Sequence, residues 1–450
     1  MNQAIRQIIS FRWSLSRTCF GIAHLCRKHV MQQRKTYRMF IVVCFFVPMQ
    51  NIFAQTIRLA DILDSVQQQN PALKMYDADI RSLDEAAKGA HNWEAPELGT
   101  GFWMVPYNTN LWKGTDMGTG MGQYMISAQQ MFPNKKKQDA EAKYMEAMSS
   151  VEKEKKNASL NELYAAVKQN YYEWMIIKKK QSILDQNKKV LQFMIQNAEL
   201  RYKNGLEKIS AYYKAKAALG NIENMQLMLD NAIIQKRIML NTLMNRDKFI
   251  AFDIDTVYSI KDFETYSFDS STFINTRSDI KAVDKDIQLT FLQQQAESAK
   301  LKPEFGVRYD HMFGFGGFPM QYSLMAMVKL PMAKWSSKTN KANVESLKWK
   351  AESLNQQKQM MTNELSGMAF GMRNDISLKK KQVDLYQKNI LPALQKNFQT
   401  MQLGYEQNTE ELFMLYDAWE TLNMTQLEYL DQLQQLLMMQ VQLEEILEVK

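Results

Sequence analysis

Residues 303–330 read PEFGVRYDHMFGFGGFPMQYSLMAMVKL, and this stretch decides the fold. Phe305, Val307 and Tyr309 alternate with Glu304, Gly306, Arg308 and Asp310. After a break rich in Gly and Phe, Tyr322, Leu324, Ala326 and Val328 alternate with Gln321, Ser323 and Lys329. A period of two, apolar on one side and mixed or polar on the other, predicts two strands joined as a hairpin. Each segment is about ten residues long, the size of a tilted strand in a membrane barrel. Residues 96–133 gather Gly, Pro and aromatic residues in the same way and predict a second hairpin.

The rest of the chain reads as helix. No proline lies between Pro133 and Pro303, and from 134 to 302 the only glycines are Gly205 and Gly220. Leu160, Leu163, Tyr164, Val167, Tyr171 and Trp174 recur at helical spacing, as do Leu427, Leu430, Leu433, Leu437 and Val441. Residues 134–201 predict one helix about 100 Å long at ~1.5 Å per residue. A bilayer core is only ~30 Å thick, and this helix is heavily charged. It is expected to stand in water, packed against other helices. The expected class is mainly α with a small β part.

The chain has 450 residues, with 56 Lys+Arg against 48 Asp+Glu, a formal net charge of +8. The excess lies wholly in residues 1–54, where Arg6, Arg12, Arg17, Arg27, Lys28, Arg34, Lys35 and Arg38 face no acid. The remainder is balanced, so nothing in it calls for a nucleic-acid partner. Cys19, Cys26 and Cys44 also lie in that segment, and beyond it the only histidines are His91 and His311. A disulfide framework, a Cys-based metal site and a thiol nucleophile are excluded from the body. No G-x-S-x-G, HExxH or phosphate loop occurs, so no catalytic residue, cofactor or metal ligand is assigned and an enzyme is not expected. From Met31, Arg34, Lys35 and Arg38 precede the apolar run Met39–Met49, then Ile52-Phe53-Ala54. This is a secretory signal pattern. Met31 is the expected start, and cleavage is expected after Ala54.

The body repeats. Leu73-Lys-Met-Tyr-Asp-Ala-Asp-Ile80 matches Ile280-Lys-Ala-Val-Asp-Lys-Asp-Ile287, Pro96-Glu-Leu-Gly99 matches Pro303-Glu-Phe-Gly306, and Tyr202-Lys-Asn-Gly205 matches Tyr405-Glu-Gln-Asn408. Three matches in the same order mark a two-fold internal repeat. The expected domains are a leader, 1–54, a first repeat, 55–275, and a second, 276–450. The first holds a strand hairpin at 97–131, a long helix hairpin at 134–245 and a non-helical segment at 246–275. The second holds a helix, a strand hairpin at 304–330 and a helix hairpin at 334–447.

The Asn70-Pro71 opening, the two hairpins, Tyr202-Lys-Asn-Gly205-Leu-Glu-Lys-Ile-Ser210, Ile390-Leu391-Pro392 and Tyr405 through Ala418 together resemble the TolC family of outer-membrane efflux channels. The resemblance covers roughly 57–447. It implies a homotrimer in which each protomer gives four strands to a twelve-stranded barrel in the outer membrane. The long antiparallel helices would form a tunnel in the periplasm, with 246–276 in an equatorial belt. It implies a periplasmic adaptor protein and an inner-membrane transporter, of the resistance-nodulation-division type, as partners. Multidrug efflux and type I protein secretion are the alternatives within the family. A soluble periplasmic coiled-coil scaffold is the alternative outside it. The paired aromatic hairpins argue against that scaffold.

Several residues follow from this reading. Tyr202, Gly205, Ser210, Tyr405, Asn408 and Thr409 occupy the matching turns, which the resemblance makes the periplasmic tips where an adaptor docks. The simpler reading is that Gly and Asn tolerate the left-handed conformation of a helix end. Asp417 falls where the family carries an acid at the channel entrance, although the second acid of that pattern is Met414 here. Its simpler reading is a solvated helix face. Alternation places Glu304, Arg308 and Asp310 toward a barrel lumen if Phe305, Val307 and Tyr309 face lipid. Trp103, Tyr107, Trp112, Tyr124, Tyr309 and Tyr322 are candidates for aromatic belts. Methionines cluster at 117, 121, 125 and 131 and again at 320, 325, 327 and 332. Thioethers are soft ligands suited to Cu(I) or Ag(I), but Met also packs cores and favours helix. The segment Met121–Pro133 resembles the metal-efflux branch of the family, which implies cation or heavy-metal efflux.

Overall fold

A helix of 69 residues, α3 (Lys135–Lys203), organises the molecule. In this computed structural model the described residues are 56–449, apart from Asp116, Met117, Thr119, Glu207, Glu264, Thr265, Ser267 and Phe268. The leader and its cleavage site, and Met117 of the first methionine cluster, lie outside them. The order is β1 (Thr56–Ile57), α1 (Leu59–Gln69), α2 (Pro71–Ala87), β2 (Glu97–Trp103), β3 (Gln123–Phe132) and α3 (Lys135–Lys203). Then come α4 (Ile209–Leu243), β4 (Asp253–Ile254), α5 (Ser270–Thr276), α6 (Ser278–Ala299), β5 (Glu304–Gly314) and β6 (Gln321–Lys329). The chain ends with α7 (Lys338–Leu385), a π-helical turn (Tyr386–Ile390), α8 (Leu391–Glu406) and α9 (Leu412–Leu447). No described helix is long and apolar enough to cross a membrane.

Local chemistry sets the helix starts. Asn134 caps α3 by accepting the Lys136 N–H at 2.9 Å. Asn70 does the same for α2, accepting the Ala72 N–H at 2.9 Å, with Pro71 at the first helical position. The periodic residues then bury. Val167, Tyr171 and Trp174 of α3 meet Leu430, Leu433, Leu436 and Leu437 of α9 in one core. Each such side chain contributes ~1.5–3 kcal/mol. A second core joins Leu184, Leu191 and Met194 of α3 to Ala218 and Ile222 of α4 and to Leu412, Leu415 and Trp419 of α9.

Residues 245–263 leave the helical pattern and pack on the bundle, where Phe252, Ile254 and Phe263 join the first core. β4 pairs in parallel with β1. Phe252 sets its ring edge-on to Trp174 at 5.1 Å, and Lys178 Nζ donates to Asp253 at 2.7 and 2.8 Å. Glu444 of α9 is buried and accepts from Lys168 of α3 at 2.6 Å and from Lys261 at 2.9 Å. Burial pushes this carboxyl up, but the two lysines outweigh it and hold it below the usual carboxylate range.

The two halves run through the same order of elements. In each, a helix precedes a strand pair and a long helix returns. That return spans 69 residues in α3, and 69 again from Lys338 to Glu406 with the π turn included. Lys156 of α3 reaches Asp77 of α2 at 2.6 Å, and Lys358 of α7 reaches Asp284 of α6 at 2.6 Å. The second return is not a regular helix. Pro392 has no N–H to donate and its ring would crowd the carbonyl four residues back. The chain answers with the π turn, in which Leu391 N–H bonds back to Tyr386 O.

Candidate functional site

The four longer strands form one antiparallel sheet in the order β2–β3–β5–β6, so each half supplies a hairpin and β3 pairs with β5 across the halves. The register fixes two faces. Leu98, Phe102, Ile126, Phe132, Phe305, Val307, Tyr309, Tyr322, Leu324 and Val328 share one, and all are well exposed. Aromatic rings line its loop end. Trp112 stacks on Phe315 at 5.4 Å, Phe102 meets Tyr124 at 5.7 Å, and His311 meets Phe313 edge-on at 4.4 Å. Trp103 departs from the belt expectation, because it pairs with Gln123 and so shares the opposite face.

That opposite face is stepped into tiers. Nearest the helices, Glu304 accepts from Lys137 at 2.5 Å and from Lys329 at 3.3 Å. The next tier is Met131, Gly306 and Met327. Then come Gln129, Arg308 and Met325, followed by Ser127, Asp310 and Ser323. Asp310 is 2% exposed and accepts from Arg308 Nε at 2.9 Å and Ser323 Oγ at 3.0 Å. Met125 and Met312 pair in the tier beyond. Glu304, Arg308 and Asp310 therefore fall together on the face opposite Phe305, Val307 and Tyr309. At the loop end, Gly120 N–H donates to Gly316 O at 2.8 Å, so the two hairpins are also joined there.

The far ends of the helices carry the other candidate residues. After α3, Gly205 has φ +73°, its N–H bonds to Tyr202 O at 3.0 Å, and Leu206 N–H bonds to Arg201 O at 2.9 Å. After α8, Asn408 has φ +60°, its N–H bonds to Tyr405 O at 3.2 Å, and Thr409 N–H bonds to Gly404 O at 2.8 Å. Both ends are Schellman turns, and the left-handed residue is the one the sequence singles out at each. The tyrosines diverge. Tyr405 is buried beneath the Arg201 guanidinium, 4.0 Å from its ring, whereas Tyr202 is exposed. Arg201 also donates to Tyr405 O at 2.7 Å and to Asn408 Oδ1 at 2.6 Å, tying one turn to the other. Ser210 and Thr409 flank these turns. Asp417 is exposed on α9, on the side that also exposes Phe413, Met414 and Met424.

Sequence reading missed two groups and did not resolve a third. Arg201 precedes the recognised motif by one residue. Lys168, Lys261 and Glu444 lie far apart in the chain. Met131 and Met327 lay in the methionine clusters, but only strand register separates them from Met121, Met320 and Met332, which lie outside the strands.

A long helical bundle ending in an open, two-faced strand sheet defines a class shared with solved outer-membrane channels. The outer-membrane channel OprN matches with a TM-score of 0.70 and 13% identity, over 87% of this chain and 90% of that one. CusC, described as forming a transmembrane channel, matches with 0.70 and 14%, over 90% of this chain and 96% of that one. The outer membrane protein VceC of Vibrio cholerae matches with 0.68 and 15%, over 86% and 95%. At such identities the likeness is one of fold. Within this class, the model of the outer membrane efflux protein family matches residues 62–246 of the chain. No curated protein sequence matches it.

Proposed function

We propose that the chain is the exit duct of a tripartite efflux pump, set in the outer membrane with its helical tunnel in the periplasm. The sheet carries this reading. It is open at β2 and β6, and one of its faces is apolar and ringed by aromatics. Open edges are not tolerated in lipid, and four strands cannot close a barrel. Three copies around an axis supply twelve strands and remove the edges. Glu304, Arg308 and Asp310 then line the lumen. Tyr202, Gly205, Ser210, Tyr405, Asn408 and Thr409 form the tips offered to a periplasmic adaptor, and Asp417 stands at the entrance. Transport energy comes from an inner-membrane transporter of the resistance-nodulation-division type, and the duct itself performs no chemistry. The inner-face methionines favour a cation or heavy-metal cargo over drugs or exported protein.

The test is extraction and mass. The mature protein, beginning at Gln55, is expected only in detergent extracts, at three times the chain mass by light scattering, and to conduct ions across a planar bilayer. A water-soluble monomer sinks the reading. Deleting the gene and measuring growth separates the cargoes. Selective sensitivity to copper or silver salts supports metal efflux, and sensitivity to detergents and dyes alone rejects it.

A further inference from the structure

The methionines of the inner face are interspersed with polar side chains, Glu304 and Lys329, Gln129 and Arg308, and Ser127 and Asp310. They also gather in pairs. Gly306 lies in register between Met131 on β3 and Met327 on β6. A Cβ at Gly306 would collide with Met131 Sδ and lie 3.2 Å from Met327 Cε, so both thioether ends reach over the missing side chain. Met325, two residues along β6, points to the same face. The carboxylates nearby are already committed, Glu304 to Lys137 and Lys329 and Asp310 to Arg308. Among the described residues no group of three or more His, Cys, Asp or Glu could hold a metal ion. The face thus offers little to a hard divalent cation and free sulfur to a soft one.

We propose that Met131 and Met327, seated over Gly306 with Met325 beside them, form a binding site for a soft monovalent cation, Cu(I) or Ag(I), on the inner face of the sheet. Thioethers select such ions, and two or three sulfurs suit their low coordination numbers. Met125 and Met312, directly paired about 20 Å further along at ~3.3 Å per residue, repeat the arrangement toward the loops. The site rests on the duct reading, because it takes this face as the lumen.

The test uses the full mature protein in detergent, with Cu(I) held by a weak chromophoric chelator under anaerobic, reducing conditions. The protein is expected to withdraw Cu(I) from the chelator and leave Zn(II) in solution. Met131→Leu with Met327→Leu, which conserves volume, is expected to weaken withdrawal at least tenfold. Gly306→Ala should weaken it too, by forcing the thioethers apart, and Met121→Leu with Met320→Leu should change nothing. Copper K-edge absorption of the wild-type complex is expected to show sulfur neighbours. Failure to withdraw Cu(I), undiminished binding by the double leucine variant, or a nitrogen and oxygen shell overturns the site. Mass and conductance on the same samples keep the two readings apart. A conducting trimer that ignores Cu(I) defeats the site alone, and a monomer that binds it defeats the duct.

Discussion

The returning helices of the two halves have the same length but different surroundings. α3 is a spine: α2, α4, α6 and α9 all pack on it, and Trp174, Met175, Ile176, Leu184 and Leu191 are fully covered. The path through α7 and α8 is peripheral. It leaves Met368, Leu378 and Leu385 about half exposed and carries the π turn nearer its far end, between the 48 residues of α7 and the 16 of α8. A helix gripped on several sides has no room for an extra residue per turn, because a bulge would rotate every contact beyond it. At the π turn the path passes into α8, which packs mainly on α9, and there it can absorb a proline. Tolerance of irregularity in these helices follows packing, not length.

The comparison can be broken most directly in the spine. Trp174→Ala is expected to cost about 3–5 kcal/mol, read as a lower midpoint in denaturant. Leu385→Ala, on the peripheral arm, should stay within ~0.5 kcal/mol for the protomer fold. Equal losses would show that the arms are equally held. Glu444→Gln comes next, at about 3 kcal/mol or somewhat more, because it strands the buried Lys168 ammonium. The Glu444 carboxyl is held below its unfolded value, so its contribution is complete at neutral pH. It is lost as pH falls through the lowered value. Acid titration of the melting temperature should therefore show a decline that Glu444→Gln flattens.

Smaller effects sharpen the contrast at the ends of the arms. Asn408→Val should cost about 1–2 kcal/mol, since a β-branched residue resists φ +60°. Asn408→Gly should be nearly neutral, and Gly205→Ala should cost about 1 kcal/mol. If Asn408→Gly also destabilised strongly, the bond from Arg201, rather than the turn, would be what matters there. Least of all, Pro392→Ala is expected to change stability by under ~1 kcal/mol while slowing amide hydrogen exchange across Tyr386–Leu391. Unchanged exchange would mean that the proline is not the cause of the π turn.

Much of this architecture is legible in the chain. The alternation at Phe305–Tyr309 puts Glu304, Arg308 and Asp310 on the face opposite the apolar side chains, as the register has them, because a strand allows only two. Tyr164, Val167, Tyr171 and Trp174 recur at helical spacing and bury together. Gly205 and Asn408 announce left-handed helix ends. What sequence cannot announce is which distant residues meet. Lys168 and Glu444 each read as one more surface charge on a charged helix, and only the packing of α3 on α9 makes them a buried pair. Tyr202 and Tyr405 look equivalent, and only the Arg201 side chain, lying over one ring, separates them. The π turn was equally hidden, since proline in a helix can end it, kink it or bulge it.

The two 69-residue returns act together as a ruler. Arg201 bridges their ends, holding the turn after α3 level with the turn after α8. Seven residues added to one arm alone would offset its end by about 10 Å and tear that bridge apart. Added to both arms, and matched in α4 and α9, which run back from the same turns, they would lengthen the reach and leave the end contacts in place. Reach in such a molecule can drift only by insertions matched in phase across all four helices, so a single-arm insertion marks a broken gauge rather than a longer one.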